Sequence, residues 1–320
     1  MKQEDFIVVT TRIQFCMDIV SELKHGKRRA IARAISIIEN DDKAAKPLIK
    51  KIFKNSGKAI TIGITGPAGA GKSTLIDKSV LELKKLGYKA AVLAIDPTSH
   101  ITGGAILGDR VRMSDSTDSG TYIRSMASRG ATGAISSSLR NSIRVLEYSG
   151  YDVIIIESVG AGQTEIDISK IADITVVVFN PNTGDSIQTI KAGLTEIGDI
   201  YLINKSDLAG ANQLFNAVRD FIGMSEKNPT ILLTSAKSSK GIAEFAKKLE
   251  TLVISKKKTK KTQEQSQLET ELRDIVLNNV KNKVSTMLDS SKEYAKYLKK
   301  VQSKTLDPYE AADKISKLFK

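Results

Sequence analysis

One stretch limits the folds open to this chain more than any other. Lys58 to Thr74 reads KAITIGITGPAGAGKST. An apolar, β-branched run from Ile60 to Thr65 turns through Gly66-Pro67-Ala68-Gly69-Ala70-Gly71-Lys72-Ser73-Thr74, which contains the phosphate-loop pattern G-x-x-x-x-G-K-S. Glycine at both ends of the pattern lets backbone close around an anion without Cβ clashes. The amides from Gly69 to Thr74 are expected to point inward, at the N-terminus of the helix that follows. Lys72 is placed to reach β- and γ-phosphates, and the Ser73 hydroxyl to bind Mg²⁺. A helix is predicted over 72–86 from Leu75, Ile76, Val80, Leu83 and Leu86, stopped by Gly87. A strand before the loop and an amphipathic helix after it are the context that nucleotide binding requires.

From Lys58 onward strands alternate with helices, the signature of an α/β fold with a mainly parallel sheet. Strands are predicted at 59–65, 89–95, 152–157, 173–179, 199–204 and 230–233. Helices are predicted at 72–86, 132–148, 163–170, 186–193, 209–222 and 241–253. Runs such as Val153-Ile154-Ile155-Ile156 suit strands covered on both faces. Before this domain, residues 11–54 read as two or three short helices, the third starting at Pro47. After it, Ser255 to Lys261 reads as a polar, cationic linker. A long amphipathic helix follows, with Leu268, Leu272, Ile275, Val280, Val284, Leu298 and Val301 on its stripe. A last helix is signalled by Asp307 as N-cap, Pro308 at the first position and Glu310 as capping-box partner. The division expected is an N-terminal helical segment 1–57, a phosphate-loop domain 58–254 and a C-terminal helical arm 255–320. The arm's apolar stripe needs cover, either from its own domain or, preferably, from a second subunit.

Composition narrows the chemistry. A chain of 320 residues with 41% hydrophobic content accommodates one large α/β domain plus attachments. No apolar run approaches the ~18 residues that span a bilayer, and Ile7 to Thr11 is too short for a signal-peptide core. The expectation is a cytoplasmic protein with no membrane partner. Cys16 is the only cysteine and there are two histidines, so a His/Cys metal cluster is ruled out and oxygen ligands, hence Mg²⁺, are expected. The net charge of +13 invites a nucleic-acid partner, but the chain has no Trp and few aromatics on which bases would stack. A solvated lysine-rich surface, including Lys256-Lys257-Lys258 and Lys260-Lys261, accounts for the charge instead.

Three further motifs carry chemistry. Asn204-Lys205-Ser206-Asp207 follows a predicted strand. Its carboxylate can accept from guanine N1–H and N2–H₂, an arrangement adenine lacks, so a site built this way rejects ATP. Lys205 can lie over the base, and Asn204 can brace the phosphate loop. Farther on, Thr234-Ser235-Ala236-Lys237 stands where a backbone amide would receive guanine O6. Glu157-Ser158-Val159-Gly160-Ala161-Gly162-Gln163-Thr164-Glu165 follows the buried strand at 152–157. Here Glu157 is a candidate Mg²⁺ ligand, Gly160 a γ-phosphate sensor through its amide, and Gln163 a candidate to orient the attacking water. Asp96, at the end of the second strand, leads through a glycine-rich stretch to Asp109. Strand ends beside a phosphate loop are where a parallel sheet places ligands, so Asp96 and Asp109 are candidate Mg²⁺ ligands or catalytic groups. His100 reads as a bystander. Residues 97–131 are long for a structureless loop and are expected to contain a switch.

Taken together these stretches resemble the MeaB/ArgK-type GTPases, the chaperones of methylmalonyl-CoA mutase. The resemblance runs from His25–Ile35 to Asp307-Pro308-Tyr309 and is most specific at 103–113, 157–165 and 184–193. In that family the last segment resembles a third switch, whose polar positions here are Gln188 and Lys191. The resemblance implies GTP and GDP with Mg²⁺ as cofactors and a homodimer built through the C-terminal arm. It also implies slow GTP hydrolysis accelerated by the mutase, gating of adenosylcobalamin loading, and protection of the mutase. In this reading Lys72 and the loop amides stabilise transition-state charge, with Asp96, Asp109 and Glu157 as the acidic groups of catalysis. Ser158, Asn182-Thr183 and Arg110 depart from the usual pattern. Alternatives are a metal-delivery GTPase, for which the chain has almost no His or Cys, and a kinase of a transport component.

Overall fold

In the computed structural model the described residues are 18–96, 113–127, 132–158, 168–182, 196–223 and 229–317. They fall into two compact units, residues 1–265 and 266–320.

The first unit is built on a sheet of seven parallel strands: β1 (Ile60–Thr65), β2 (Ala90–Asp96), β3 (Tyr122–Ala127), β4 (Val153–Glu157), β5 (Ile174–Phe179), β6 (Ile200–Ile203) and β7 (Thr230–Leu233). Their order is β3-β2-β4-β1-β5-β6-β7. The central strands are buried throughout, as their uninterrupted apolar runs dictate. On one face Ile60, Ile62 and Ile64 pack with Ile155 and Val176 against helix α3 (Lys72–Lys85) and the start of a long helix, residues 242–253. On the other face Leu93, Ile95, Ile154 and Ile156 are covered by α1 (Arg28–Asn40), α2 (Asp42–Ile52) and α5 (Thr132–Tyr148). Gly63 pairs in register with both Ile156 and Thr175, so Val177 and Phe179 share that second face, where α6 (Ala211–Ile222) covers them.

The N-terminal helices form because their apolar residues recur at helical spacing. Ala30, Ile31, Ala34, Ile35 and Ile38 are the buried stripe of α1. The start expected at Pro47 is corrected: α2 begins at Asp42, with Pro47 inside it. The Asp41 carboxylate accepts from the amides of Lys43 and Ala44, both at 3.0 Å, and this cap sets the start.

The stretch 97–131 holds more regular structure than a loop. A short helix α4 (Ser114–Asp118) and the edge strand β3 lie within it. Buried Asp77 of α3 accepts from the Ser116 amide at 2.8 Å and so docks α4 on the helix after the phosphate loop. At the strand starts, Asp173 accepts from the amide and hydroxyl of Thr61, each at 2.8 Å. Glu147, at the end of α5, accepts from the Gly57 and Ala59 amides, and burial pushes its carboxyl above the usual range.

The expected linker at 255–261 is not one: α7 (Ile242–Ser290) runs through it. Lysine is a good helix former, and Lys260 is drawn inward to Asp173 at 2.5 Å rather than solvated. The second unit comprises the end of α7, α8 (Lys292–Gln302) and α9 (Pro308–Ser316). Ser291 caps α8 through the Tyr294 amide. Asp307 caps α9 through the Tyr309 and Glu310 amides, while the Glu310 carboxylate pairs with Lys314. Among the described residues no helix is long and apolar enough to cross a membrane.

Candidate functional site

The carboxyl ends of β1, β2, β4, β5 and β6 converge on the loop 66–71, the position where a parallel sheet holds ligands. Gly66, just past β1, passes so close to β5 that a Cβ there would collide with the Val178 carbonyl. Gly71 takes φ 87° as the N-cap of α3, and a Cβ on it would sit 2.5 Å from Asn204 Nδ2. Both positions therefore demand glycine for reasons of fold as well as phosphate access. Gly71 caps α3 with no side chain, so the first-turn amides of Lys72, Ser73 and Thr74 present an anion site. Lys72 is buried, and its ammonium donates to the carbonyls of Gly66 at 2.7 Å and Pro67 at 3.1 Å. The Ala70 amide closes a turn onto Pro67 O at 3.2 Å rather than pointing to a ligand, a difference from the sequence expectation. Ala68 and Gly69 lie exposed at the tip.

Beneath the loop the Ser73 hydroxyl donates to Glu157 Oε1 at 2.7 Å. Glu157 closes β4 and pairs in register with Ala94 of β2 and Ile64 of β1. Asp96 lies two residues beyond Ala94, so alternation puts it on the same face as Glu157, beside the start of α3. Ser73, Glu157 and Asp96 are thus hard oxygen donors gathered at one strand edge, the donor set Mg²⁺ takes. Among the described residues no group of three or more His, Cys, Asp or Glu is arranged for a metal. Asp109, Gly160, Gln163, Gln188 and Lys191 lie outside the described residues, as does His100. Ser158, next after Glu157, ties its own segment to β1 through its amide to Ile64 O and its hydroxyl to Thr65 Oγ1, both at 3.0 Å.

The expected base end lies across the loop. Asn204 Nδ2 donates to Ala70 O at 2.9 Å, while its Oδ1 accepts from the Ala236 amide at 3.1 Å. One buried side chain thus joins the phosphate loop to the 234–237 turn, which is the brace the sequence suggested. Lys205 adopts φ 56°, and the Ser206 amide bonds Thr234 O at 2.9 Å. Asp207 is thereby left exposed beside Ser235 and Lys237. The Ser235 hydroxyl first, then its own backbone amide and the Lys237 and Lys205 ammonium groups, hold its carboxyl below the usual range. A carboxylate kept ionised is what accepts two guanine N–H donors. Because the Ala236 amide is engaged by Asn204, it is not open to guanine O6 in this arrangement.

Sequence reasoning missed Asn180. It directly follows β5, is 1% exposed, and donates from Nδ2 to Gly69 O at 3.3 Å. Its one visible signal is a polar residue closing an otherwise apolar strand end, Val176 to Phe179.

The chain is similar to known proteins over most of its length. A family profile described as "Methylmalonyl Co-A mutase-associated GTPase MeaB" matches residues 31–289. A relative from Pyrococcus abyssi is 42% identical over 310 residues, covering 94% of this chain and 95% of its own. GTPase ArgK of Escherichia coli is 31% identical over 305 residues, covering 90% of this chain and 92% of its own. The crystal structure of an LAO/AO transport system kinase superposes with a TM-score of 0.71 at 25% identity, over 95% of this chain and 97% of that one. The phosphate loop, the braced N-K-x-D turn and these matches agree: the chain belongs to the MeaB family of methylmalonyl-CoA mutase-associated GTPases and is a GTP-hydrolysing enzyme.

Proposed function

We propose that the protein is a Mg²⁺-dependent GTPase that acts as a chaperone of an adenosylcobalamin-dependent methylmalonyl-CoA mutase. The observation that carries the nucleotide chemistry is the Ser73–Glu157 contact directly beneath the phosphate loop, with Lys72 at its rim. Ser73, Glu157 and Asp96, together with Asp109, would hold the ion, which when bound would neutralise charge on the β- and γ-phosphates. Lys72 exchanges its two backbone carbonyls for phosphate oxygens, and the first-turn amides of α3 stabilise charge on the β–γ bridge. Asn204 holds the loop, Lys205 covers the base, Asp207 selects guanine, and the 235–237 turn closes the base pocket. Gly160 reads the γ-phosphate, and Gln188 and Lys191 pass nucleotide state to the partner.

The chaperone role is supported by the family description, which names the mutase, and by the length over which the profile matches. The organisation proposed is a helical segment 1–57, a GTPase domain 58–254 and an arm 255–320 that pairs two copies in the cytoplasm. Leu272, Val276, Leu277 and Val280, each at least half exposed, support that use of the arm. A kinase reading draws on the structural likeness to the LAO/AO transport system kinase.

The test is capture of the mutase on the tagged full chain, with hydrolysis of γ-labelled GTP measured with and without it. Release of label as free phosphate, faster with mutase, supports the proposal. Label transferred to a protein supports the kinase. GTP hydrolysis indifferent to mutase removes the chaperone role.

A further inference from the structure

Two consecutive carbonyls of the phosphate loop are held by side-chain amides from two neighbouring strand ends. Asn204, after β6, takes Ala70 O, and Asn180, after β5, takes Gly69 O. Asn204 belongs to the guanine motif, whereas Asn180 belongs to none. The Gly69–Ala70 peptide is gripped at both ends: its carbonyl by Asn180, its N–H by Pro67 O at 3.2 Å. Pro67 O also accepts from Lys72 Nζ at 3.1 Å. A trans peptide points its C=O and N–H in opposite directions, so a bond that fixes Gly69 O also fixes the turn against which Lys72 rests. The other end of Asn180 faces away from the loop, where Oδ1 accepts from the Asn182 amide at 2.9 Å.

A simpler role is an Asx turn that ends β5. That role uses Oδ1 alone and requires neither burial to 1% exposure nor a donor aimed at Gly69 O. Serine would serve it too, though more weakly.

We propose that Asn180 is a positioning residue for the nucleotide phosphates. It sets the tip of the loop through Gly69 O and ties that setting to the chain leaving β5 at Asn182. The inference rests on the GTPase reading above. Phosphate entry draws Lys72 off Pro67 O, shifts the Gly69–Ala70 peptide, and is felt at the Asn182 amide through one side chain.

The test uses the full chain and three forms: native, Asn180→Ala and Asn180→Ser. Serine keeps a short acceptor for the Asn182 amide but is too short to reach Gly69 O. GDP and a non-hydrolysable GTP analogue are titrated by calorimetry, thermal unfolding is recorded, and exchange of the Asn182 amide is followed with and without GDP. The expected result is GDP binding weakened about tenfold in both variants, in line with the loss of one hydrogen bond to the loop. In the serine form the unfolding midpoint stays near native. GDP changes exchange at Asn182 in the native chain and no longer does so in either variant. GDP binding within twofold of native in both variants, or Asn182 exchange indifferent to GDP in the native chain, overturns the proposal. If alanine prevents folding, the serine form and the native exchange still decide. A native chain that binds no guanine nucleotide overturns the parent reading as well, whereas native binding with indifferent variants overturns this inference alone.

Discussion

The Ser73 hydroxyl donates a 2.7 Å hydrogen bond to Glu157 Oε1, across 84 positions of chain. The two meet because β1 and β4 are parallel neighbours, so the loop after one strand and the last residue of the other share an edge. If this pair holds Mg²⁺, Glu157→Gln keeps the shape but loses the charge. GTP turnover should fall about 10²-fold, and the Mg²⁺ concentration for half-maximal rate should rise. A Glu157→Gln form with a native Mg²⁺ titration would remove Glu157 from the ion's shell.

Asn204 is 1% exposed and satisfies both Ala70 O and the Ala236 amide. Asn204→Ala leaves these two buried groups without their partner. The expected loss is about 2 kcal/mol of folding stability, read by denaturant unfolding without nucleotide, together with weaker GDP binding. Loss of GDP affinity with unchanged stability would mean that Asn204 acts only on the ligand.

Asp207 governs the choice of base and its pH dependence. Its carboxyl lies below the usual carboxylate value, held there by Ser235 and by Lys237 and Lys205. The ionised form therefore still predominates at the ordinary Asp value of about 3.9, and the group becomes mostly protonated only as pH falls beneath it. Preference for GDP over ADP should be flat from neutral pH down to that value in competition binding. Asp207→Ala should cut the preference by about 10²-fold or more. An unchanged preference in Asp207→Ala would assign guanine choice elsewhere.

Lys260 and Asp173 form an ion pair at the strand starts, with side chains 13% and 0% exposed. Removing the ammonium leaves Asp173 buried with its charge facing the Thr61 donors. Lys260→Ala should cost about 3 kcal/mol of unfolding free energy, whereas exposed Lys258→Ala should stay within about 0.5 kcal/mol. Equal effects at the two positions would return Lys260 to the solvated surface that the sequence suggested.

Val280 of α7 is 55% exposed and Leu277 57%. If two copies pair through the arm, Val280→Glu places charge in the joint. Sedimentation should then show a dimeric native chain and a monomeric variant with intact far-ultraviolet dichroism. A native monomer at high concentration would end the pairing proposal.

The motifs legible in the sequence share a physical property: their chemistry is local. Gly66 to Thr74 makes its turn and first helical turn from adjacent residues, and Asn204 to Asp207 carries its guanine donors' partner within four positions. Most central strands were legible too, because burial on both faces demands unbroken apolar runs. β3 was not. It sits at the sheet edge, where Arg124 reaches Glu39 of α1 at 2.6 Å and Ser125 is half-buried, so no apolar run marks it. The start of α2 was misread at Pro47 because proline is favoured in a first turn, whereas the Asp41 cap decides the helix.

By itself, the sequence determined an α/β fold around a phosphate loop and a guanine motif, since each follows from short-range backbone geometry and hydrogen-bonding capacity. Which distant groups support them follows from the packing of the sheet. Asn180 reaches Gly69 across 111 positions, and Lys260 reaches Asp173 across 87. Neither pairing is encoded by spacing, because parallel strands bring together residues far apart in the chain. A lysine run and a lone asparagine thus acquire their roles from what the sheet sets beside them.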